Sequence, residues 1–450
     1  MLSNTVLVVF LVGIFALCQA SQPTNKVKTD AEVESSIADI FNTATPSDEI
    51  TTSSSPTKKP AIDDRDYWDN DDFKPYKVDK RDYFDWRLLE KVFTNTQSNV
   101  VISPFSVKFV LALLYEAADA ESNTKTELSS VFYGSPSTYL MRDVYRDMLE
   151  SLKEPNTKYI LNIATKMYLR NNITPRPQYR HTLMDQYDTD IQNLDFSKAE
   201  ESADIINKWC SNVTEGRLKE LVTSDQIQSA GLLLINAIYF DGQWRTPFTS
   251  TFESAFFRLP NEQIRANYMT VTGKFYYFYS TMLNAKVLRL PYQGKKFSMT
   301  ILLPGAKGGL EALARDIEGD GLRRIQWLMS EQEVKVTLPK FKFDYTAKLK
   351  ETLMALGLNE IFTESAALSG IAKGSALDRK MKVTNIIQKA GIEVHEKGST
   401  AFAVTEVEIV NKFGGDNIEE FNVNRPFVFL IVDELTSTII FAGKVLDPTV

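Results

Sequence analysis

Cysteine and histidine are nearly missing from this chain, with two of each in 450 residues. Cys18 lies in an N-terminal stretch expected to be removed. The remaining chain then has one cysteine and no internal disulfide, so its stability must come from packing. That cysteine, Cys210, closes the helical apolar pattern Ile205-Ile206-Asn207-Lys208-Trp209-Cys210 and reads as a buried structural thiol rather than a nucleophile. His181 and His395 have neither metal-ligand spacing nor cysteine partners, which argues against a zinc site. There is no G-x-S-x-G elbow and no P-loop. Gly305, Gly308 and Gly309 follow a strand pattern without the Lys-Ser/Thr of a phosphate loop, so they read as a turn. No catalytic residue, metal or cofactor is expected, and an enzyme is disfavoured.

Charge is missing from the first twenty residues, MLSNTVLVVFLVGIFALCQA. The apolar run Val6 to Leu17 is short for a membrane span. Small residues end at Ala20 with the spacing of signal-peptide cleavage, and the alternative is an N-terminal anchor. The expectation is a signal peptide over 1–20 and a secreted, soluble product that spans no membrane. Asn172-Ile173-Thr174 and Asn212-Val213-Thr214 are then candidate glycosylation sites at Asn172 and Asn212.

Sustained apolar patterning is missing from residues 21–79. The first part is rich in Ser, Thr and Pro and offers too little apolar surface to offset the entropy of ordering. The second part is acidic and aromatic around Tyr67. Seven basic against thirteen acidic residues give this extension −6 of the chain's −7. It reads as a disordered acidic extension. Residues 80–450 are therefore near neutral, which argues against nucleic-acid binding.

From about Lys80 the pattern is globular. Phe84, Leu88, Leu89, Val92 and Phe93 recur at helical spacing, and Ser106 to Ala118 reads as a second apolar helix. Strand patterns fall at 231–240, 274–280, 286–290, 297–303, 333–342 and 426–432. Strands interleaved with helices predict an α+β domain built on a large sheet.

Several segments of this body resemble the serpin family of serine protease inhibitors. Asn99-Val100-Val101-Ile102-Ser103-Pro104-Phe105-Ser106 is similar to the family's strand-to-helix segment in the shutter. Asn236-Ala237-Ile238-Tyr239-Phe240-Asp241-Gly242-Gln243-Trp244 resembles the main-sheet strand that ends in the breach tryptophan. Leu290-Pro291-Tyr292-Gln293-Gly294, Ser298 to Pro304 and Phe421 to Ile431 match further family motifs, in the family's order. The resemblance covers about residues 80–450. It implies three β-sheets, eight or nine helices and an exposed reactive-centre loop. A protease cuts that loop, which then inserts into the central sheet and carries the acyl-linked protease with it.

The segment from Glu396 resembles the serpin hinge: Gly398, Ser399, Thr400, Ala401, Phe402, Ala403, Val404 and Thr405. Strand side chains alternate between faces. On insertion Ser399, Ala401, Ala403 and Thr405 face inward and are small and uncharged, whereas a buried charge there would cost several kcal/mol. Thr400, Phe402 and Val404 face outward, and Phe402 is bulkier than the family's usual residue. These features favour an inhibitor over a non-inhibitory carrier or chaperone on the same fold. At the family's spacing, fifteen residues beyond Lys397, the scissile bond is Lys412–Phe413. Lysine suits a trypsin-like specificity pocket; a one-residue shift would make Phe413 the specificity residue and the target chymotrypsin-like.

The family's shutter histidine is replaced by Gln388, which can hydrogen-bond to partners such as Ser106 and Asn236 but does not titrate. Tyr67 among aspartates resembles exosite tails of some serpins and is a candidate for sulfation; the plainer reading is a solvated spacer. Arg142, Arg146 and Lys153 share a helix with Asp143, Asp147 and Glu150, so glycosaminoglycan binding has weak support. The expected partner is an extracellular trypsin-like protease and the expected state a monomer. The style of loop and tail resembles arthropod haemolymph serpins, which act in immune and melanisation cascades.

Overall fold

Hydrophobic alternation along one strand sets the frame of the molecule. In the computed structural model, Leu232–Gly242 is a strand buried along its whole length. Leu232, Leu234, Ile238 and Phe240 point into the main core, while Leu233, Ile235, Ala237 and Tyr239 point into a second, smaller core. A strand apolar on both faces must be covered on both sides. The structure describes residues 83–132, 137–154, 156–228, 230–317, 325–372, 381–396 and 418–450. The signal-peptide segment, the acidic extension with Tyr67, hinge residues Gly398 to Thr405, and Lys412 and Phe413 lie outside them.

The strands are β1 Val100–Ile102, β2 Tyr159–Arg170, β3 Asp190–Leu194, β4 Leu232–Gly242, β5 Ser250–Leu259, β6 Glu262–Ser280, β7 Ala285–Pro291, β8 Phe297–Pro304, β9 Ser330–Pro339, β10 Phe341–Lys348, β11 Val383–Val394, β12 Glu419–Asn422, β13 Phe427–Asp433 and β14 Thr438–Val445. One sheet has five strands in the order β10-β11-β4-β2-β3. The other strands form a nine-stranded ladder, β1-β14-β13-β8-β7-β6-β9-β12 with β5 beside β6. Within it, β5 and β7 pair with opposite ends of β6 along one edge, and β9 follows the other edge. The second and third sheets implied by the resemblance thus share hydrogen bonding through β6.

The chain crosses between the sheets at a proline. The stretch 333–342, read from sequence as one strand, ends its first ladder at Pro339. The Lys340 amide turns away to donate to the Asn267 carbonyl at 2.7 Å. β10 then starts in the other sheet.

Helices α1 Tyr83–Asn95, α2 Pro104–Ala117, α3 Asn123–Val131, α4 Thr138–Lys153, α5 Pro177–Tyr187, α6 Ala199–Val213, α7 Ser224–Ile227, α8 Leu310–Asp316 and α9 Lys350–Ala355 accompany the sheets. In α1 the apolar stripe from Phe84 to Phe93 is buried, as its spacing predicts. α2 is buried on nearly every side, with Pro104 in its first turn and Ser103 as its cap. Gly309 caps α8, and Gly308 takes a left-handed φ of 87°, so this glycine cluster is a turn. Cys210 in α6 is fully buried in the second core, and burial pushes its thiol up to about 12. No helix among the described residues is long and apolar enough to cross a membrane.

Candidate functional site: the seam between β4 and β11

β4 and β11 lie at the centre of the five-stranded sheet and run parallel, in continuous register from Asn385 opposite Leu233 to Ile392 opposite Phe240, preceded by a one-residue bulge just after Val383. Their outer neighbours, β2 and β10, are antiparallel to them. A chain turning back after β11 would run antiparallel to both strands of this seam. Such a strand, placed between them, would replace one parallel ladder by two antiparallel ones, which pair slightly better per residue.

The register sets Gln388 directly opposite Asn236. Both are buried on the main-core face, where an unpaired amide is costly. Gln388 Nε2 donates to Asn236 Oδ1 at 3.1 Å and to the Ser103 carbonyl at 3.2 Å. Its Oε1 accepts the Ser103 amide at 2.7 Å. Asn236 Nδ2 continues the chain to Thr165 Oγ1 at 3.0 Å and the Ala164 carbonyl at 3.3 Å. One neutral network therefore ties the head of α2, β11, β4 and β2. Among the described residues Ser106 bonds to Ser103 rather than to Gln388: its hydroxyl accepts from Ser103 Oγ at 3.1 Å, and its amide donates to the same oxygen as part of the helix cap. The sequence pairing of Gln388 with Ser106 is corrected to Gln388 with the Ser103 backbone: the Ser103 amide, ahead of the first turn, has no partner within the helix, and the Ser103 carbonyl, which takes the Val107 amide at 3.1 Å, accepts Gln388 with its second lone pair. Thr165 is a partner that sequence reasoning missed; its strand has no clean alternation to mark it.

At the upper end the chemistry changes. Trp244, just past β4, stacks on Tyr292 with ring centroids 4.4 Å apart and meets Phe248 edge-on. Its indole N–H donates to the His395 carbonyl at 2.8 Å, and the Phe248 amide donates to the Glu396 carbonyl at 3.1 Å. The last described residues of this segment are thus pinned to the chain that follows β4. Lys340 lies 3.3 Å from the Glu396 carboxylate and Lys342 2.6 Å from that of Glu393. Burial works to raise the Glu393 carboxyl, but Lys342, the Tyr239 hydroxyl and His395 outweigh it and hold it below its ordinary value. Glu396 is held low by its own backbone N–H and, against burial, by Lys340 and His395. Lys340 and Lys342 were not singled out by sequence, Asp241 appeared only inside the breach-strand motif, and His395 was weighed only as a metal ligand; the one available signal was a rare histidine directly before the hinge.

The smaller core presses on the same seam. A Cβ added to Gly391 of β11 would lie 2.7 Å from Leu218 Cδ2 and 3.0 Å from Tyr239 Cδ2. A larger residue there would have to push the Leu218 side chain aside.

Elsewhere, Asn172 and Asn212 are both exposed. The Thr214 hydroxyl of the second sequon is buried, donating to the Cys210 carbonyl at 2.8 Å and accepting the Leu218 amide at 3.1 Å. On α4, Arg142 pairs with Glu116, Arg146 with Asp143 and Asp147, and Lys153 with Asp188, so this face presents ion pairs rather than a basic stripe. Among the described residues no group of three or more His, Cys, Asp or Glu side chains could hold a metal ion.

Comparison with known proteins gives the family. The family model for serpins, serine protease inhibitors, matches residues 80–448. This chain belongs to the serpin family. It is 41% identical over 381 residues to Serine protease inhibitor 2 of Anopheles gambiae, covering 83% of this chain and 93% of that one. It is 32% identical over 368 residues to Iripin-1 of Ixodes ricinus, covering 80% and 92%. Among solved structures, Serpin48 of the insect Tenebrio molitor superposes with a TM-score of 0.71 at 28% identity, over 83% of this serpin and all of that chain.

Proposed function

We propose that this serpin is a secreted suicide inhibitor of a trypsin-like serine protease, cut at Lys412–Phe413. The observation that supports it most is the parallel seam with its exit at Glu396. The chain leaves the centre of one sheet there and is next described at Ile418, entering the other sheet. The intervening segment starts where a returning strand would lie antiparallel to both β4 and β11. After Lys397, its next eight residues, Gly398 to Thr405, are uncharged and small at alternate positions. Inserted, they would extend the antiparallel pattern of the sheet, with each added hydrogen bond contributing about 1 kcal/mol net. In the reaction, the protease serine attacks the Lys412 carbonyl and the amine of Phe413 departs, leaving an acyl ester. Insertion of the hinge side then carries the ester-linked protease away before water can release it. An extracellular cascade, immune or melanising, is the setting we propose, with Asn172 and Asn212 glycosylated. The acidic extension, residues 21–79, would precede the inhibitory domain as a spacer.

Mixing the protein with trypsin tests the reading. A boiling-resistant covalent complex on denaturing gels is expected, with a released C-terminal peptide beginning at Phe413. A peptide beginning at Gly414 would move the specificity residue to Phe413 and the target to a chymotrypsin-like protease. Cleavage with no complex would sink the inhibitor in favour of a carrier or chaperone.

A further inference from the structure

The upper end of the seam carries a titratable side chain where the middle carries an amide. We infer that His395 is a proton-operated catch that holds β4 and β11 together in mild acid and slows their separation. The inference rests on the proposal that the seam opens to admit a strand. His395 Nε2 lies 4.0 Å from Asp241 Oδ1, with the histidine side chain 26% exposed and the aspartate 7%. Asp241 belongs to β4, and His395 directly follows β11, so the pair spans the seam.

The charged groups around the imidazole divide by which side of the seam they move with. Glu393 and Glu396 share its strand segment, and both carboxyls are lowered in part by His395. Lys340 and Lys342 stand at the β9–β10 corner, paired with those two carboxylates, and β10 is hydrogen-bonded to β11. All four travel with His395. Across the seam stand Asp241 and Tyr239 on β4 and, beside them, Tyr292. Arg217 lies over the Tyr239 ring and is paired with Glu215 at 2.8 Å. Burial raises the Tyr239 and Tyr292 hydroxyls, and the Asp241 charge adds to both. Asp241 is therefore the carboxylate that the imidazolium would leave on opening. The Trp244 bond to the His395 carbonyl fixes the backbone and does not titrate.

The attraction to Asp241 is present while the imidazole carries its proton and absent once the proton is lost, and histidine is the side-chain type whose charge changes between pH 5 and 8. A strand between β4 and β11 doubles their spacing from about 4.8 Å and ends the contact. The network at Gln388 is neutral throughout, so it adds no pH dependence of its own.

The test uses the full protein and a terminally blocked peptide of residues Gly398 to Thr405, which has no ionisable side chain, so pH acts on the protein alone. Annealing is followed by the rise in melting temperature at fixed ionic strength. The expected rate is about threefold lower at pH 5.5 than at pH 8, as befits a part-exposed ion pair. His395→Asn and Asp241→Asn should each anneal at the same rate at both pH values. Equal rates for the unaltered protein at both pH values, or a pH dependence that survives in both variants, would overturn the catch. Failure of the peptide to anneal at either pH would overturn the insertion reading, and the catch with it.

Discussion

The middle of the β4–β11 seam and its upper end hold the same two strands together by opposite means. In the middle, Gln388 and Asn236 are about 1% exposed, uncharged and hydrogen-bonded on every side. At the top, Glu393, Glu396, Lys340, Lys342, Asp241 and His395 are charged or chargeable and mostly part-exposed. A buried neutral network is insensitive to salt and pH but costs much when one member is lost. A part-exposed charged cluster contributes less and responds to the solvent. The seam thus has a fixed lock in its centre and an adjustable one at its mouth.

The contrast is broken most severely at Asn236. Asn236→Ala leaves Thr165 Oγ1 and one Gln388 donor without their partner inside the core. A loss of about 2–3 kcal/mol is expected in urea unfolding of the uncleaved protein. A loss below about 0.5 kcal/mol, the range of ordinary surface changes, would mean the central network is not a lock. The next largest effect is expected at the mouth, from Trp244→Phe. It keeps most of the ring packing on Tyr292 but removes the bond to the His395 carbonyl. A cost of about 1 kcal/mol is expected, with faster annealing of the hinge peptide; slower annealing would show that the indole does not restrain the seam. The smallest effect concerns the Lys340–Glu396 pair. Lys340→Ala should cost about 0.5 kcal/mol at neutral pH. Because the Glu396 carboxyl is held low in the folded protein, its contribution is full above about pH 4.3, the unfolded value, and is lost as pH falls through the folded value. The difference between this variant and the unaltered protein should therefore shrink and vanish as pH falls below about 4.3 in acid unfolding curves. A constant difference across that range would remove the electrostatic account.

Much of this seam was legible in the sequence because its members sit in motifs with strong local patterns. Ser103 precedes a proline that starts an apolar helix, and Asn236 interrupts a run of apolar strand residues, so each stands out against its neighbours. Gln388 was named through the family resemblance, and the structure brings it onto Asn236. Its wrong pairing with Ser106 shows the limit: sequence indicates which residues meet, while backbone left over at a helix end decides which atoms do. Thr165 and Lys340 were not legible. Thr165 acquires its role from β2 lying beside β4, and Lys340 from the corner after Pro339, and both are tertiary placements. The α+β class followed from the alternation of strand and helix patterns. The joining of two smaller sheets through β6 did not, because register is set by partners far along the chain.

The contact at Gly391 joins two cores. Side-chain atoms of Leu218 and Tyr239 fill the place where a side chain at Gly391 would stand. Both residues belong to the smaller core, so the seam and the connection after α6 share one packed surface. Seen as a machine, the molecule has its door and its wall cut from one block, and a change of shape in either is felt by the other.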